Sequence, residues 1–405
     1  MATQTPAIPV NPSAHHVAAL LPKLQDVDPD IRYMSLNDLN QMLTIGHPTF
    51  ISHDYSCCAR VVEGLLHTLN DQNGDVQNMA IKCLGPFVNK APESILCPTF
   101  DKVSNLRTDN AVDSSVPALA VRAMVVALPR PAPAIPRTAK VQEAYSAVSR
   151  ALIPRLVGYT VISTGKSLPA PPKGMIQVEM ENGIDSNALD VLVEVGRCFG
   201  PMLQDVEVEA LQKITTEVLE NPRCSTVMKK KAVTALSVLS PYFSDALLAS
   251  VVSHAIESLR QSHLTPAQRR LYLTIFASMA KSIPRKFGPY LRTLAPFILS
   301  PLSEEELDQQ NEEAAESDEG RDPQVEEVRE AALLALDSCL ASCSQDMTPY
   351  VGDVIDSCLR FAKYDPNYAA DEDDDMEGAE SDQDDDFDLD EDFEEETGFD
   401  DEDDV

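Results

Sequence analysis

The sequence predicts an all-α fold of about seven stacked helix pairs, one further unpaired helix and an acidic tail. Three observations lead there. First, residues 61–90 place two apolar stripes on either side of a short acidic turn. Val61, Val62, Leu65, Leu66 and Leu69 share one face of an earlier helix. Val76, Ala80, Cys83, Leu84, Phe87 and Val88 share one face of a later helix, the spacing of helices with a single buried side. Second, the unit recurs. One position inside each later helix falls at Ser35, Ala80, Ala120, Ala188, Ala232, Leu271 and Ala332, with gaps of 45, 40, 68, 44, 39 and 61 residues. Four of these gaps lie near the roughly 40 to 47 residues of HEAT and armadillo repeats. Third, each long gap holds an insertion, Pro-rich within 129–173 and acidic within 303–322. A helix pair of this size cannot bury its face alone, so the pairs stack as a solenoid. The alternative is a single irregular bundle, but a bundle does not hold its register through insertions.

Residues 1–12 are Pro-rich and predict a disordered start, and the solenoid is expected over 13–366. The first pair is 17–24 and 30–43, split by Asp26-Val27-Asp28-Pro29-Asp30, with Ile31, Met34, Ser35, Leu39 and Met42 marking its second helix. The second pair turns at Asn73-Gly74, residues that tolerate positive φ, and Asp75 is expected to cap the helix that follows. Gly85-Pro86 predicts a kink there, since Pro lacks an N–H and crowds the preceding turn. The third pair covers 94–128, with Ser115 as a cap and Pro117 in the first turn. PRPAPAIPR opens a Pro-rich insertion, 129–138, expected to be extended. The fourth pair, 141–156 and 188–199, is divided by a second insertion, 163–176.

The fifth pair is 206–219 and 227–239. The sixth is 246–259 and a helix opened by Thr265-Pro266-Ala267-Gln268, the pattern of a capping box. The seventh begins over 290–299, is interrupted by the acidic insertion 303–322, and resumes from Asp322-Pro323 with Val325, Val328, Ala332, Leu336 and Leu340. The last helix, 347–364, has no second helix to cover it, so the array looks cut there. The acidic segment 367–405 repels itself, lacks apolar content and predicts disorder.

Composition narrows the function. The net charge is −34, and residues 371–405 alone hold 23 acidic and no basic residues. The remaining body has no dense basic stripe, which argues against direct nucleic-acid binding. There is no apolar run of 18 residues, so no membrane-spanning helix is expected. The first residues lack the basic start and apolar core of a signal peptide. Nine cysteines, Cys57, Cys58, Cys83, Cys97, Cys198, Cys224, Cys339, Cys343 and Cys358, are scattered; several sit on expected core faces as small apolar groups, and a reducing compartment, nucleus and cytoplasm, is expected. Cys339 and Cys343 lie four apart but have no further ligands at zinc spacing, so no metal is expected. The seven histidines, His15, His16, His47, His53, His67, His254 and His263, have no Cys or Ser partner in the same unit. With no P-loop, dinucleotide Gly fingerprint or G-x-S-x-G, no catalytic residue, cofactor or enzymatic activity is expected.

Binding is the remaining class. Asp28, Asp30, Arg32, Asn37, Asp71, Asp75, Gln77, Asn78 and Lys82 are polar, lie off the apolar stripes of the first two pairs, and are the candidate partner-binding residues. A structural role competes for Asp30, Arg32 and Asp75, since a turn Asp and a basic residue can pair between neighbouring repeats. On the last helix, Val351, Val354, Ile355, Leu359 and Phe361 form the candidate face on which a solenoid would continue. Two alternative classes are an importin-like receptor and an acidic-tail chaperone. Both predict salt-dependent binding of basic peptides.

Three strings then resemble one family: DIRYMSLNDL at 30–39, DQNGDVQNMAIKCLGPFVNK at 71–90, and YDPNY at 364–368 running into the acidic tract. They are similar to the N-terminal part of the cullin-associated, neddylation-dissociated (TATA-binding-protein-interacting) proteins, closely over 28–92 and 348–375, with matching repeat spacing over roughly 14–370. The resemblance implies an all-HEAT superhelix that wraps an un-neddylated cullin with its RING subunit, covers the modification lysine, and takes part in substrate-receptor exchange. The chain departs from the pattern by stopping at the acidic tract, by its Pro-rich insertions, and by a longer acidic loop in the seventh pair. It is therefore expected to act with a separately encoded C-terminal half. The resemblance fixes a surface and not individual contacts.

Overall fold

The computed structural model describes residues 12–47, 49, 51–106, 115–132, 137–161, 174–176, 186–261, 264–307 and 323–362. Most of the expected disordered start, of the Pro-rich insertion 163–176 and of the acidic insertion 303–322, part of the insertion 129–138, and all of the tail 367–405 lie outside these residues. The chain divides into two units, 1–357 and 358–405. Of the second, the described residues are 358–362, which end the last helix.

Every regular element among the described residues is helical. The first helices of the pairs are α1 (Ala14–Leu20, extended by a 3-10 turn Leu21–Gln25), α3 (Tyr55–Leu69), α5 (Glu93–Ser104), α7 (Ala139–Ala147) with α8 (Ile153–Val157), α10 (Asp205–Glu220), α12 (Asp245–Leu259), and α14 (Pro284–Phe287) with α15 (Leu291–Leu299). The second helices are α2 (Pro29–Ile45), α4 (Gly74–Val88), α6 (Val116–Ala127), α9 (Ser186–Phe199), α11 (Thr226–Leu239), α13 (Pro266–Ser282) and α16 (Pro323–Ser342). Then come α17 (Ser344–Met347) and α18 (Val351–Ala362).

Within the first unit each second helix packs on the next: α2 on α4, α4 on α6, α6 on α9, α9 on α11, α11 on α13, and α13 on α16. The first helices make a parallel layer, α1 on α3, α3 on α5, α5 on α7, and α8 on α10. This is the HEAT and armadillo arrangement, in which a pair touches only its neighbours. The core runs between the layers. Leu36, Leu39 and Leu43 of α2 and Val76, Ala80, Cys83 and Phe87 of α4 are fully buried, and each large side chain contributes about 1.5–3 kcal/mol relative to exposure. Six of the seven register positions (Ser35, Ala80, Ala120, Ala188, Ala232 and Ala332) are buried. Leu271 is half-exposed, and Leu273 holds the core place in α13.

Several local expectations are corrected. Asn73, not Asp75, caps α4: its side chain accepts from the N–H groups of Asp75 (2.9 Å) and Val76 (3.2 Å). Asn73 is extended at φ −96, Gly74 is the first helical residue, and the positive φ among the described glycines is at Gly158, φ 83. A short side chain that satisfies two orphan amides therefore did what a left-handed turn was expected to do. α4 continues through Pro86 to Val88. The expected helix 141–156 is three segments, because Val148–Leu152 is a π turn in which the Ile153 N–H reaches the Val148 carbonyl. Pro154, next in line, has no N–H to offer the α-helical ladder, and the wider turn absorbs the mismatch. Likewise 347–364 is not one helix. A 3-10 turn, Thr348–Tyr350, separates α17 from α18, as Gly288–Tyr290 separates α14 from α15. The expected capping box is present, with Thr265 Oγ1 accepting from the Gln268 N–H (3.3 Å) and Gln268 Oε1 from the Thr265 N–H (3.1 Å).

Candidate functional site

The turns and second helices of the first two pairs obey one rule, 45 residues apart. The Asp26 carboxylate accepts from the Asp28 N–H at 3.0 Å, and the Asp71 carboxylate accepts from the Asn73 N–H at 2.9 Å. Asp28 then caps α2 through the Asp30 N–H (2.9 Å), as Asn73 caps α4. Six residues after the turn carboxylate, a long side chain folds back on the turn. Arg32 Nη1 donates to the carbonyls of Asp26 (2.8 Å) and Val27 (3.0 Å), and Gln77 Nε2 donates to those of Asp71 (2.8 Å) and Leu69 (3.3 Å). Short polar side chains are suited to this work because they bind nearby backbone amides.

Arg32 does more than its counterpart. Its Nε and Nη2 grip the two Asp71 oxygens at 2.7 and 2.8 Å, fork to fork, and so tie α2 to the turn before α4. Burial pushes the Asp71 carboxyl up, but the Arg32 guanidinium and the Asn73 N–H overcome it and hold the group below the usual carboxylate range. Of the nine candidates, Asp28, Arg32, Asp71 and Gln77 are thus brought together as scaffold. The remaining five face outward: Asp30, Asp75, Asn78 and Lys82 are exposed and Asn37 is half-exposed. They line up by the same 45-residue offset, Asp30 with Asp75, Tyr33 with Asn78, and Asn37 with Lys82, giving two polar ridges on adjacent helices. The ridges carry both signs of charge and suit a protein surface better than a phosphate backbone.

Other cross-repeat pairs had no local sequence signal. Arg122 of α6 reaches Glu194 of α9 (3.0 Å), Lys231 of α11 reaches Asp190 of α9 (2.7 Å), and Arg270 of α13 pairs with Glu327 of α16. Glu207, at the start of α10, is fully buried and accepts from Tyr145 Oη (2.5 Å), Ser149 Oγ (2.6 Å) and the Gln204 N–H (2.9 Å). Between α10, α12 and α13 lies a cleft of about 320 Å³ floored by Leu219, Leu236, Ala255 and Ile275, where Glu220 accepts from Tyr272 Oη (3.1 Å) and pairs with His254.

Seven cysteines are buried, Cys97 is half-buried and Cys358 is exposed. Burial pushes the thiols of Cys58, Cys83 and Cys339 up to about 12, which keeps them protonated. Among the described residues no group of three or more His, Cys, Asp or Glu is placed to hold a metal, and no helix is long and apolar enough to cross a membrane. On α18, Val351 and Ile355 are exposed while Val354 is buried, so Val354 is not on the expected open face. In the second unit, Leu359 is exposed and Phe361 half-exposed.

Residues 95–310 match the family model described as the N-terminal part of cullin-associated NEDD8-dissociated protein 1. The chain is 43% identical over 289 residues to the protein of that name, N-terminal part, from Emericella nidulans, covering 71% of this chain and 84% of the relative. It is 47% identical over 66 residues to the C-terminal part from the same organism, 16% of this chain and 6% of that protein. It is 26% identical over 373 residues to cullin-associated NEDD8-dissociated protein 1 of Drosophila melanogaster, covering 92% of this chain and 26% of that one. The chain therefore spans about a quarter of the length of the longer relatives.

Proposed function

The chain belongs to the family of cullin-associated NEDD8-dissociated proteins, and from that premise we propose that it is a non-enzymatic regulator of cullin–RING ubiquitin ligases. It binds an un-neddylated cullin with its RING subunit, shields the lysine that takes the ubiquitin-like modifier, and takes part in substrate-receptor exchange. It acts in nucleus and cytoplasm together with a separately encoded C-terminal part. The observation that carries this reading is the 43% identity, over 84% of its length, to a relative that is itself called an N-terminal part. The matching C-terminal part in that organism supports a two-chain assembly.

The residues divide the labour. Asp30, Asn37, Asp75, Asn78 and Lys82 meet the cullin–RING surface from the outer faces of α2 and α4. Arg32, Asp71, Asp28 and Gln77 hold those two ridges in register. Val351 and Ile355 offer apolar area at the end of the first unit for the C-terminal part.

The test is a pull-down of the chain with a cullin–RING pair, unmodified and neddylated, with and without the C-terminal part. Binding restricted to the unmodified pair and strengthened by the C-terminal part is expected. Equal binding to both forms overturns the shielding role. Binding only to isolated basic peptides, fading with salt, replaces the cullin reading by a cargo receptor or chaperone.

A further inference from the structure

The ends of α4, α6 and α9 gather positive charge in a chain of net charge −34. Residues 114–142 hold Arg122, Arg130, Arg137 and Lys140 and no acidic residue. Lys90 follows α4, and its ammonium lies below the usual lysine range, first because it is partly buried and then because Lys140 stands near. Arg130 and Arg197 both act on the Cys198 thiol at the end of α9. Arg137 Nη2 donates to the carbonyl of Pro201, in the turn that follows α9, at 3.0 Å. Since α4 packs on α6 and α6 on α9, the cations of three repeats meet along one edge. They are spread over residues 90–197, so no basic run marks them in the sequence.

Few carboxylates answer them. Arg122 and Arg197 share one oxygen of Glu194, at 3.0 and 3.7 Å, so two cations face one acid. Among the described residues Lys90, Arg130, Arg137 and Lys140 form no ion pair, not even with the exposed Glu143 of α7 and Asp205 of α10. Arg130 and Arg137 are exposed, yet each is anchored through one Nη2 to a carbonyl, that of Val126 at 2.8 Å and that of Pro201. An anchored guanidinium has further N–H groups for a carboxylate and loses less side-chain freedom on meeting it. None of the exposed aromatic residues, Tyr33, Tyr55 and Tyr159, lies on these stretches, so the edge lacks the stacking platform of a single-strand nucleic-acid site.

We propose that this edge docks an acidic segment of a partner protein, extended across the ends of α4, α6 and α9. Neighbouring helices stand about 8–10 Å apart, so the two steps from Lys90 to Arg197 cover roughly 16–20 Å. Five or six extended residues at about 3.3 Å each span that distance, and a segment acidic at most positions meets the cations in any register. The chain's distant acids do not prevent this, because salt confines their repulsion to about 8 Å. The edge is separate from the outward ridge on α4: Asp75 opens that helix and Lys90 follows its end, about 22 Å away. The two surfaces can therefore be tested independently.

The test is fluorescence anisotropy of a labelled ten-residue Glu/Asp peptide titrated with the full chain. Arg130→Glu/Arg137→Glu is expected to weaken binding at least about tenfold. Lys281→Glu/Arg285→Glu makes the same charge change at exposed residues elsewhere and is expected to leave binding unchanged. The neutral pair Arg130→Gln/Arg137→Gln, which keeps a donor for each carbonyl, is expected to weaken binding about threefold without moving the thermal midpoint. A photo-crosslinker within the peptide is expected to label residues 88–90, 128–132, 137–140 or 197–202. Equal losses from the two reversed pairs overturn the proposal, since net charge alone then governs binding. Binding that appears only after removal of residues 367–405 also overturns it, by giving the edge to the chain's own tail. Tighter capture of a single-stranded oligonucleotide of equal charge overturns it in favour of nucleic acid.

Discussion

Arg32 and Asp71 stand 39 residues apart and meet through two parallel hydrogen bonds of 2.7 and 2.8 Å, with 14% and 6% of their side chains exposed. The third nitrogen of Arg32 closes its own turn. One guanidinium therefore sets the local shape of the first repeat and its register against the second.

Replacing Arg32 by Ala leaves the Asp71 carboxylate, whose side chain is 6% exposed, without its cation, and the Asp26 and Val27 carbonyls without a donor. A loss of about 2–3 kcal/mol is expected in urea unfolding of the N-terminal repeats. Arg32→Lys is expected to recover less than half of it, because an ammonium has no planar fork to meet both carboxylate oxygens and two carbonyls together. Full recovery by Lys would reduce the pair to simple charge attraction.

The same pair sets a pH dependence. The folded Asp71 carboxyl lies below its unfolded value, so its stabilisation is complete above the unfolded pKa of about 3.9 and is lost as pH falls through the folded one. Asp71→Asn is expected to lower stability at neutral pH and to flatten its fall below about pH 4 relative to the native chain. Urea midpoints measured for both proteins across that range cancel the acid response that they share. Parallel curves would show that Asp71 does not titrate as folding requires.

Much of this architecture was legible in the sequence, for definite reasons. Apolar stripes at helical spacing report burial directly, so the pairs, their order and six of the seven register residues are where the pattern put them. Errors arose where one residue type has several uses. Asn73-Gly74 reads equally as a left-handed turn and as a cap followed by a helix, and Leu271 lies beside the buried Leu273 in an apolar run. Polarity alone also did not separate scaffold from surface. Arg32, Asp71 and Gln77 look as exposed in sequence as Asp75, Asn78 and Lys82, because the partner of Arg32 lies one repeat away and that of Gln77 is backbone. Glu207 gave no signal, since it answers Tyr145 and Ser149 across two pairs.

Glu207 makes a third prediction. It is fully buried and holds two hydroxyls and an amide, so Glu207→Ala strands three donors between α7 and α10. A loss of roughly 3 kcal/mol is expected, against about 1 kcal/mol for Tyr145→Phe, which removes one donor and leaves the others satisfied. Thermal unfolding of both variants and their double mutant gives the coupling. Equal effects of the two single changes would mean that the carboxylate does not organise the cluster.

On α18, burial separates two neighbouring valines. Val354 is 6% exposed and Val351 40% exposed. Val354→Asp is expected to destabilise the end of the first unit by more than about 2 kcal/mol, since it buries an unpaired carboxylate. Val351→Asp with Ile355→Asp is expected to leave stability nearly unchanged and to abolish co-purification with the C-terminal part. Loss of fold in the second pair of changes, or retention of the partner, would remove that surface from the assembly.

The two ridges allow the sharpest separation of contact from scaffold. Gln77 and Lys82 lie five residues apart on α4, yet Gln77 is committed to two carbonyls and Lys82 is exposed. Lys82→Glu is therefore expected to leave the urea midpoint unchanged while weakening capture of the unmodified cullin–RING pair about tenfold, chiefly through slower association and less so at high salt. Gln77→Ala is expected to do the reverse, lowering stability by about 1 kcal/mol and binding only in proportion. Asp75→Lys tests the sign: if the partner presents a cation opposite Asp75, binding falls as with Lys82→Glu, and the double reversal Asp75→Lys/Lys82→Glu does not restore it, because each residue meets its own counter-charge. Restoration by the double change would show that only the net charge of α4 matters, and the ridge would then steer the partner without defining its seat.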